Sequence, residues 1–436
     1  MQQAGGRKIG WVSAAAIVVA NMVGTGVFTS LGLQLQGLSS AWAILLLWMI
    51  GGMVSLFGAF SYAELGTKLP RSGGEYYFLS RIYHPFIGYL SGWVSLTVGF
   101  AASVALAAMA MGAYIGKFSP FSAQAVAIGA IALISMVHSV NIRQSSNFQN
   151  TFTALKLLLI LFFIIACFAL PTESGVGAAE LSRAWHADLS KPAFAVSMVY
   201  VIYAFSGWNA AAYIVEEIRE PARNLPRALI GGTLAVSLLY VLLQMAFLNQ
   251  ASTAQLKGKI EVGQVVAELM FGPAGGQLIS FFIALFLISS ISAMVWVGPR
   301  VVRAMANDYS IWRFLAEDNR HGIPVKAVWL QAGISIFMIV TSSFEQVLLY
   351  SGFVLQLFTT AAVAGIFVMR WKNGHSGYSS PGYPWVQVAF LAISIWILAF
   401  LLYDRPMESL LGLANLGLGA ISYWWSKQHS HRFEES

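Results

Sequence analysis

The stretch NMVGTGVF, Asn21 to Phe28, lies in the middle of an apolar run from Ile9 to about Gly37. At ~1.5 Å rise per residue, an unbroken helix over that run would reach roughly 40 Å, enough to cross a bilayer. Glycines nonetheless flank the β-branched Thr25 on both sides. Each glycine costs a helix interior about 1 kcal/mol relative to alanine, so the segment is weakest at mid-depth, where lipid offers no partner for a freed peptide group. The pattern predicts an unwound turn that faces protein or a wet cavity.

Composition sets the medium. Of 436 residues 58% are hydrophobic and 10% charged, whereas soluble domains carry ~25% charge. The chain is therefore a polytopic membrane protein. Its start, MQQAGGRKIGW, has no cleavable-signal pattern, so the first run is expected to be a retained span. The single cysteine, Cys167, rules out an internal disulfide framework and a zinc cluster and reads as a small buried hydrophobe.

Apolar windows predict an all-α membrane protein of twelve transmembrane helices, at 9–36, 41–66, 85–116, 121–140, 149–170, 191–217, 226–250, 273–305, 325–342, 345–370, 384–403 and 408–425. With both termini cytoplasmic, nineteen of the 25 lysines and arginines fall inside and six outside. That bias orients the chain, and the net charge of +7 reads as headgroup contact rather than a nucleic-acid footprint. The longest break, Ala306 to Pro324, falls inside and has room for a short surface helix around Ile311–Ala316.

A second interruption answers the first. The sixth helix reads YVIYAFSGWNAAAYIVEEIREP, Tyr200 to Pro221, and Phe205-Ser206-Gly207-Trp208-Asn209 breaks it at similar depth. Helix one opens a block of five spans, 9–170, and helix six another, 191–370; the odd number makes the second block inverted, and 384–425 adds two further helices. Paired interruptions at matching positions point to a midplane site in a secondary transporter. Free N–H groups at Gly24, Thr25 and Gly26, backed by a helix dipole, suit a carboxylate. Freed carbonyls from Tyr203 to Ser206 suit an ammonium group, and together they describe an α-amino acid. For a single motif, the competing account is close helix packing through small residues.

At these residues the chain resembles the amino acid-polyamine-organocation (APC) superfamily, in its L-amino-acid-transporter-like branch. The matching pieces are NMVGTGVF, PRSGGEYYFL in the first inner loop, FSGWNAAAYIVEEIREPARNLPRAL across helix six, and PRVVRAMANDY at the end of helix eight. The resemblance implies a leucine-transporter-like (LeuT-like) five-plus-five inverted repeat with discontinuous helices one and six, working by alternating access. It further implies that the Val23-Gly24-Thr25-Gly26 backbone takes the substrate carboxylate, that the Tyr203, Ala204 and Ser206 carbonyls, next to Phe205, take the amino group, that Tyr203 lids the site and that Asn209 lines it. Relatives place a lysine at the position of Lys156, where its ammonium replaces a bound sodium ion; snorkelling to the interface is the other account of this residue.

Ser289, Ser290 and Ser292 of helix eight are further candidates, although serines in membrane helices often bond the preceding turn. Glu216 and Glu217, and Glu64 in the same way, read either as an inner gate with loop arginines or as interfacial charges, and Trp208 as packing or as shaping the cavity. His138 has no partner of metal-ligand spacing, and no HExxH, GxSxG or paired intramembrane aspartates occur, so neither an enzyme nor a metal or other cofactor is expected. No mid-helix acid awaits a cationic substrate, which favours neutral amino acids. The expectation is a sodium-independent exchanger in the cell membrane, with a proton-coupled symporter as the alternative. The outer loop Gly116 to Ser122 lacks the cysteine by which some relatives join an accessory subunit, so a disulfide-linked partner is not expected.

Overall fold

Helical backbone dominates the computed structural model, which describes residues 9–116, 119–140, 146–172, 185–320, 322–373 and 377–434. Arg7, Lys8, Lys117, Arg143 and Arg183, used above for the charge asymmetry, lie outside these residues. No strand occurs among the described residues; one isolated parallel bridge pairs Ile9 with Ile218.

The first apolar run is two helices, α1 (Trp11–Met22) and α2 (Gly26–Gly37), separated by Val23–Thr25. Next come α3 (Ala41–Lys68) and the amphipathic inner-loop helix α4 (Glu75–Ile82). The third span joins α5 (Pro85–Val94) to α6 (Phe100–Ile115) through a π-helical turn at Ser95–Gly99. After α7 (Ala123–Val140) and α8 (Ser146–Ala169), the short α9 (Trp185–Leu189) leads into α10 (Pro192–Phe205). A 3-10 segment, Ala210–Glu217, completes the sixth span. Then follow α11 (Pro221–Gln250), α12 (Thr253–Leu256), the 47-residue α13 (Val262–Asp308), α14 (Val325–Thr341), α15 (Phe344–Asn373), α16 (Trp385–Asp404) and α17 (Pro406–Glu434).

Ten helices among the described residues are long and apolar enough to cross a membrane. The expected ninth span, α14, has 17 residues and is shorter than these, and the expected twelfth, α17, is diluted by Glu408, Asn415 and three glycines. Ahead of the eighth span α13 starts at Val262, and the backbone leaves helical geometry at Gly272, so the segment from Pro273 begins where that span is expected. The inner loop helix is a 3-10 turn at Ser310–Leu315.

The core is built around the broken elements. α1 and α3 both pack on α11, α2 packs on α10, and α6 on α13. Trp48 of α3, Phe205 of α10 and Tyr240 of α11 form one aromatic knot, with ring centroids 5.1–5.9 Å apart. Glu64 corrects the reading of an interfacial charge. It is fully buried, receives Arg370 Nε at 2.8 Å and Nη2 at 2.7 Å, Lys68 Nζ at 2.9 Å and the Ser380 N–H at 2.8 Å, and so ties α3 to α15. A buried carboxylate is tolerated only with such full pairing.

Candidate functional site

Both interruptions are present, and they abut. At the first, the Val23 N–H still bonds the Val19 carbonyl at 2.9 Å, the Gly24 N–H turns back to the Met22 carbonyl at 2.8 Å, and helix resumes at Gly26. At the second, α10 ends at Phe205 and Gly207 takes φ +98°. A side chain at Gly207 would put its Cβ 2.7 Å from the Asn21 carbonyl carbon, and one at Gly26 would put its Cβ 2.5 Å from the Ala204 Cα. Glycine is thus required at both positions, at one by the backbone angle and at both by close approach of the other chain segment.

Side chains of neighbouring helices reach the first break and the first turn of α2. Tyr240 donates to the Met22 carbonyl at 2.6 Å, Gln244 to the Val27 carbonyl at 3.0 Å, and Tyr114 to the Phe28 carbonyl at 3.1 Å. The N–H groups of Thr25, Gly26 and Val27 open α2 and have no acceptor within their own helix. They carry the positive end of its dipole, which is where an anion is favoured. Facing them, the last carbonyls of α10 lack intrahelical donors, apart from that of Tyr203, which accepts the Ser206 N–H at 3.0 Å. The Tyr203 hydroxyl and Thr25 Oγ1 are 3.0 Å apart and join the breaks. Ser206 is exposed and Gly24, Tyr203 and Asn209 are partly exposed, so solvent reaches the junction, whereas Val23, Thr25, Gly26 and Ala204 are buried. Phe205 points away into the aromatic knot.

The other candidates separate. Lys156 is buried, 3% exposed, and its Nζ donates to Ser290 Oγ at 2.7 Å, so it links α8 to α13 instead of reaching an interface. Ser292 pairs with His138 Nε2 at 2.8 Å, while the buried Ser289 hydroxyl has no partner among the described residues. Trp208 packs edge-on to Tyr62 at 4.8 Å. Glu216 accepts the Ser72 N–H at 3.2 Å, and neither it nor Glu217 forms an ion pair with an arginine among the described residues.

Sequence reasoning missed Glu75. This carboxylate at the start of α4 is 7% exposed and accepts Tyr62 Oη at 2.7 Å, Asn209 Nδ2 at 2.8 Å and the Tyr213 hydroxyl. Asn209 therefore ties helix six, just past its break, to the loop after α3. The available signal was the acid within PRSGGEYYFL, an otherwise polar loop motif. Among the described residues no group of three or more His, Cys, Asp or Glu could hold a metal ion.

A bundle of membrane helices, two of them unwound against each other at a solvent-reached junction, defines a membrane transport protein of the permease type. The amino acid permease family pattern matches residues 9–410, and the chain belongs to that family, within the APC superfamily. It is 26% identical to the large neutral amino acids transporter small subunit 2 of Homo sapiens, over 98% of this chain and 81% of that protein. It is 28% identical to the b(0,+)-type amino acid transporter 1 of Oryctolagus cuniculus, over 84% of this chain and 77% of that one. The serine/threonine exchanger SteT of Bacillus subtilis is 28% identical over 94% of this chain and 95% of its own length. The chain is a transporter and not an enzyme, and its relatives carry amino acids.

Proposed function

We propose that the chain exchanges neutral L-amino acids across the cell membrane, without sodium, by alternating access of a five-plus-five inverted repeat within twelve helices. The observation that carries this reading is the contact of the two breaks at Gly26–Ala204 and Gly207–Asn21, with helix-start N–H groups on one side and helix-end carbonyls on the other. A substrate carboxylate would sit at Thr25, Gly26 and Val27, and its ammonium at the carbonyls of Ala204 and Ser206. Tyr203, tied to Thr25, would move to admit or cover it. Neutral side chains fit because Glu75, the acid bonded to Asn209, already accepts three donors.

Sodium independence is supported by the buried Lys156 ammonium on Ser290, a fixed cation bracing helix five to helix eight. A disulfide-linked subunit is not part of the proposal, since Cys167 is buried with Sγ 3.5 Å from Met270 Sδ. Proton-coupled symport is the second reading, favoured by the same lysine, whose ammonium has a neutral hydroxyl as its bonded partner.

Uptake of labelled alanine, serine and leucine into sodium-free proteoliposomes tests both readings. Acceleration by internal amino acid identifies exchange, and acceleration by an inward-acid gradient with empty vesicles identifies symport. Uptake that requires sodium would overturn both.

A further inference from the structure

The start of α1, the first turns of α11 and the chain just before α16 enclose a groove of about 740 Å³. Its walls are apolar at Trp11, Pro226 and Pro381, and its polar groups are Arg223, Arg227 and Tyr378. Spaced four residues apart on α11, the two arginines share one helix face, where like charges repel unless an anion lies between them. Neither forms an ion pair among the described residues, and Glu217 and Glu220, the acids that precede them along the chain, are not in the lining. Tyr378 also lines the groove, with its hydroxyl oxygen enclosed behind the lining. Trp11 is 46% exposed, as an aromatic at headgroup depth is.

We propose that this groove binds an anionic phospholipid of the leaflet on the side of the chain's N-terminus. Its phosphate would lie between Arg223 and Arg227, with its acyl chains along Trp11, Pro226 and Pro381. Two cations beside an apolar wall match a group that is anionic at one end and hydrocarbon at the other. Basic pockets between membrane helices recognise anionic headgroups in this way. A soluble phosphate ester would satisfy the arginines but leave the apolar wall uncovered. Zwitterionic lipids bring an ammonium that the arginines repel. The lipid would bridge the first half of broken helix one to helix seven, so the site goes beyond the carrier reading and does not depend on it.

Melting of the delipidated full-length protein in detergent tests the site, with short-chain phosphatidylglycerol, short-chain phosphatidylcholine and glycerol phosphate as separate titrants. Phosphatidylglycerol should raise the melting temperature saturably, and the other two should not. The double variant R223Q/R227Q should lose that shift, K427Q on α17 should keep it, and R223Q or R227Q alone should raise the half-saturating concentration about fivefold, the worth of one hydrogen bond. Equal stabilisation by both lipids, a full shift retained in R223Q/R227Q, or a shift reproduced by glycerol phosphate would overturn the proposal. Should the double variant fail to fold, the single variants R223Q and R227Q decide, and an unchanged half-saturation in both rejects the site.

Discussion

Two glycines and one lysine carry most of the argument at the scale of the residue. A Cβ on Gly26 would collide with the backbone of Ala204, which cannot move like a flexible side-chain end. Gly26→Ala is expected to cost about 1–3 kcal/mol through overpacking. In proteoliposomes it should reduce uptake by about tenfold or more, because the junction of the breaks is displaced; undiminished uptake would remove the junction from the site. Lys156→Ala leaves Ser290 without its donor, and transport should fall in either coupling mode. Retained activity in that variant would make the lysine a structural brace alone.

Pairs of elements are joined by a few buried polar links, and these can be broken one at a time. Arg370→Leu strands the Glu64 carboxylate between α3 and α15, where Lys68 and the Ser380 N–H remain as partial compensation. The expected loss is about 3–5 kcal/mol, readable as a lowered melting temperature, and E64Q/R370L together should recover part of it. On the other side of the bilayer, Asp188 of α9 is 1% exposed and accepts the N–H groups of Ser39 and Ser40 at 2.9 and 2.8 Å, holding the start of α3. Burial pushes its carboxyl up, but the hydrogen bonds from Lys191 and from those two backbone donors outweigh it, leaving the group below the usual aspartate range. A depressed pKa stabilises the fold above the ordinary value of ~3.9 and loses that contribution as pH falls through the folded value. The melting-temperature gap between the protein and D188N should therefore be full near neutrality and close under acid.

Across the whole molecule, Glu75 with Tyr62, Tyr213 and Asn209 unites α3, α4 and the 3-10 half of helix six. Glu75→Ala leaves the buried Tyr62 hydroxyl short of an acceptor at about 1–3 kcal/mol, and the part-buried Asn209 and Tyr213 donors at less. Backbone amides over residues 210–217 should then exchange hydrogen about tenfold faster, while those of α6 stay unchanged. Uniform acceleration across the molecule would instead mean global destabilisation.

Apolar windows and paired interruptions sufficed to locate the membrane helices and the two weak points, because hydrocarbon imposes length and polarity on each segment separately. Glycine at positions 24, 26 and 207 announced where helix would fail for the same local reason. Nothing local announced what faces the breaks. That Tyr240 meets the first break and Gln244 the helix after it, that Lys156 meets Ser290, that Glu64 is a buried pair and that Glu75 gathers Tyr62, Asn209 and Tyr213 all depend on residues more than a dozen positions apart in sequence meeting in space. Sequence by itself determined the medium, the segments and the places where the backbone opens. The tertiary structure decided which donors and acceptors each opening receives, since hydrogen bonds form between neighbours in space and only packing makes distant residues neighbours.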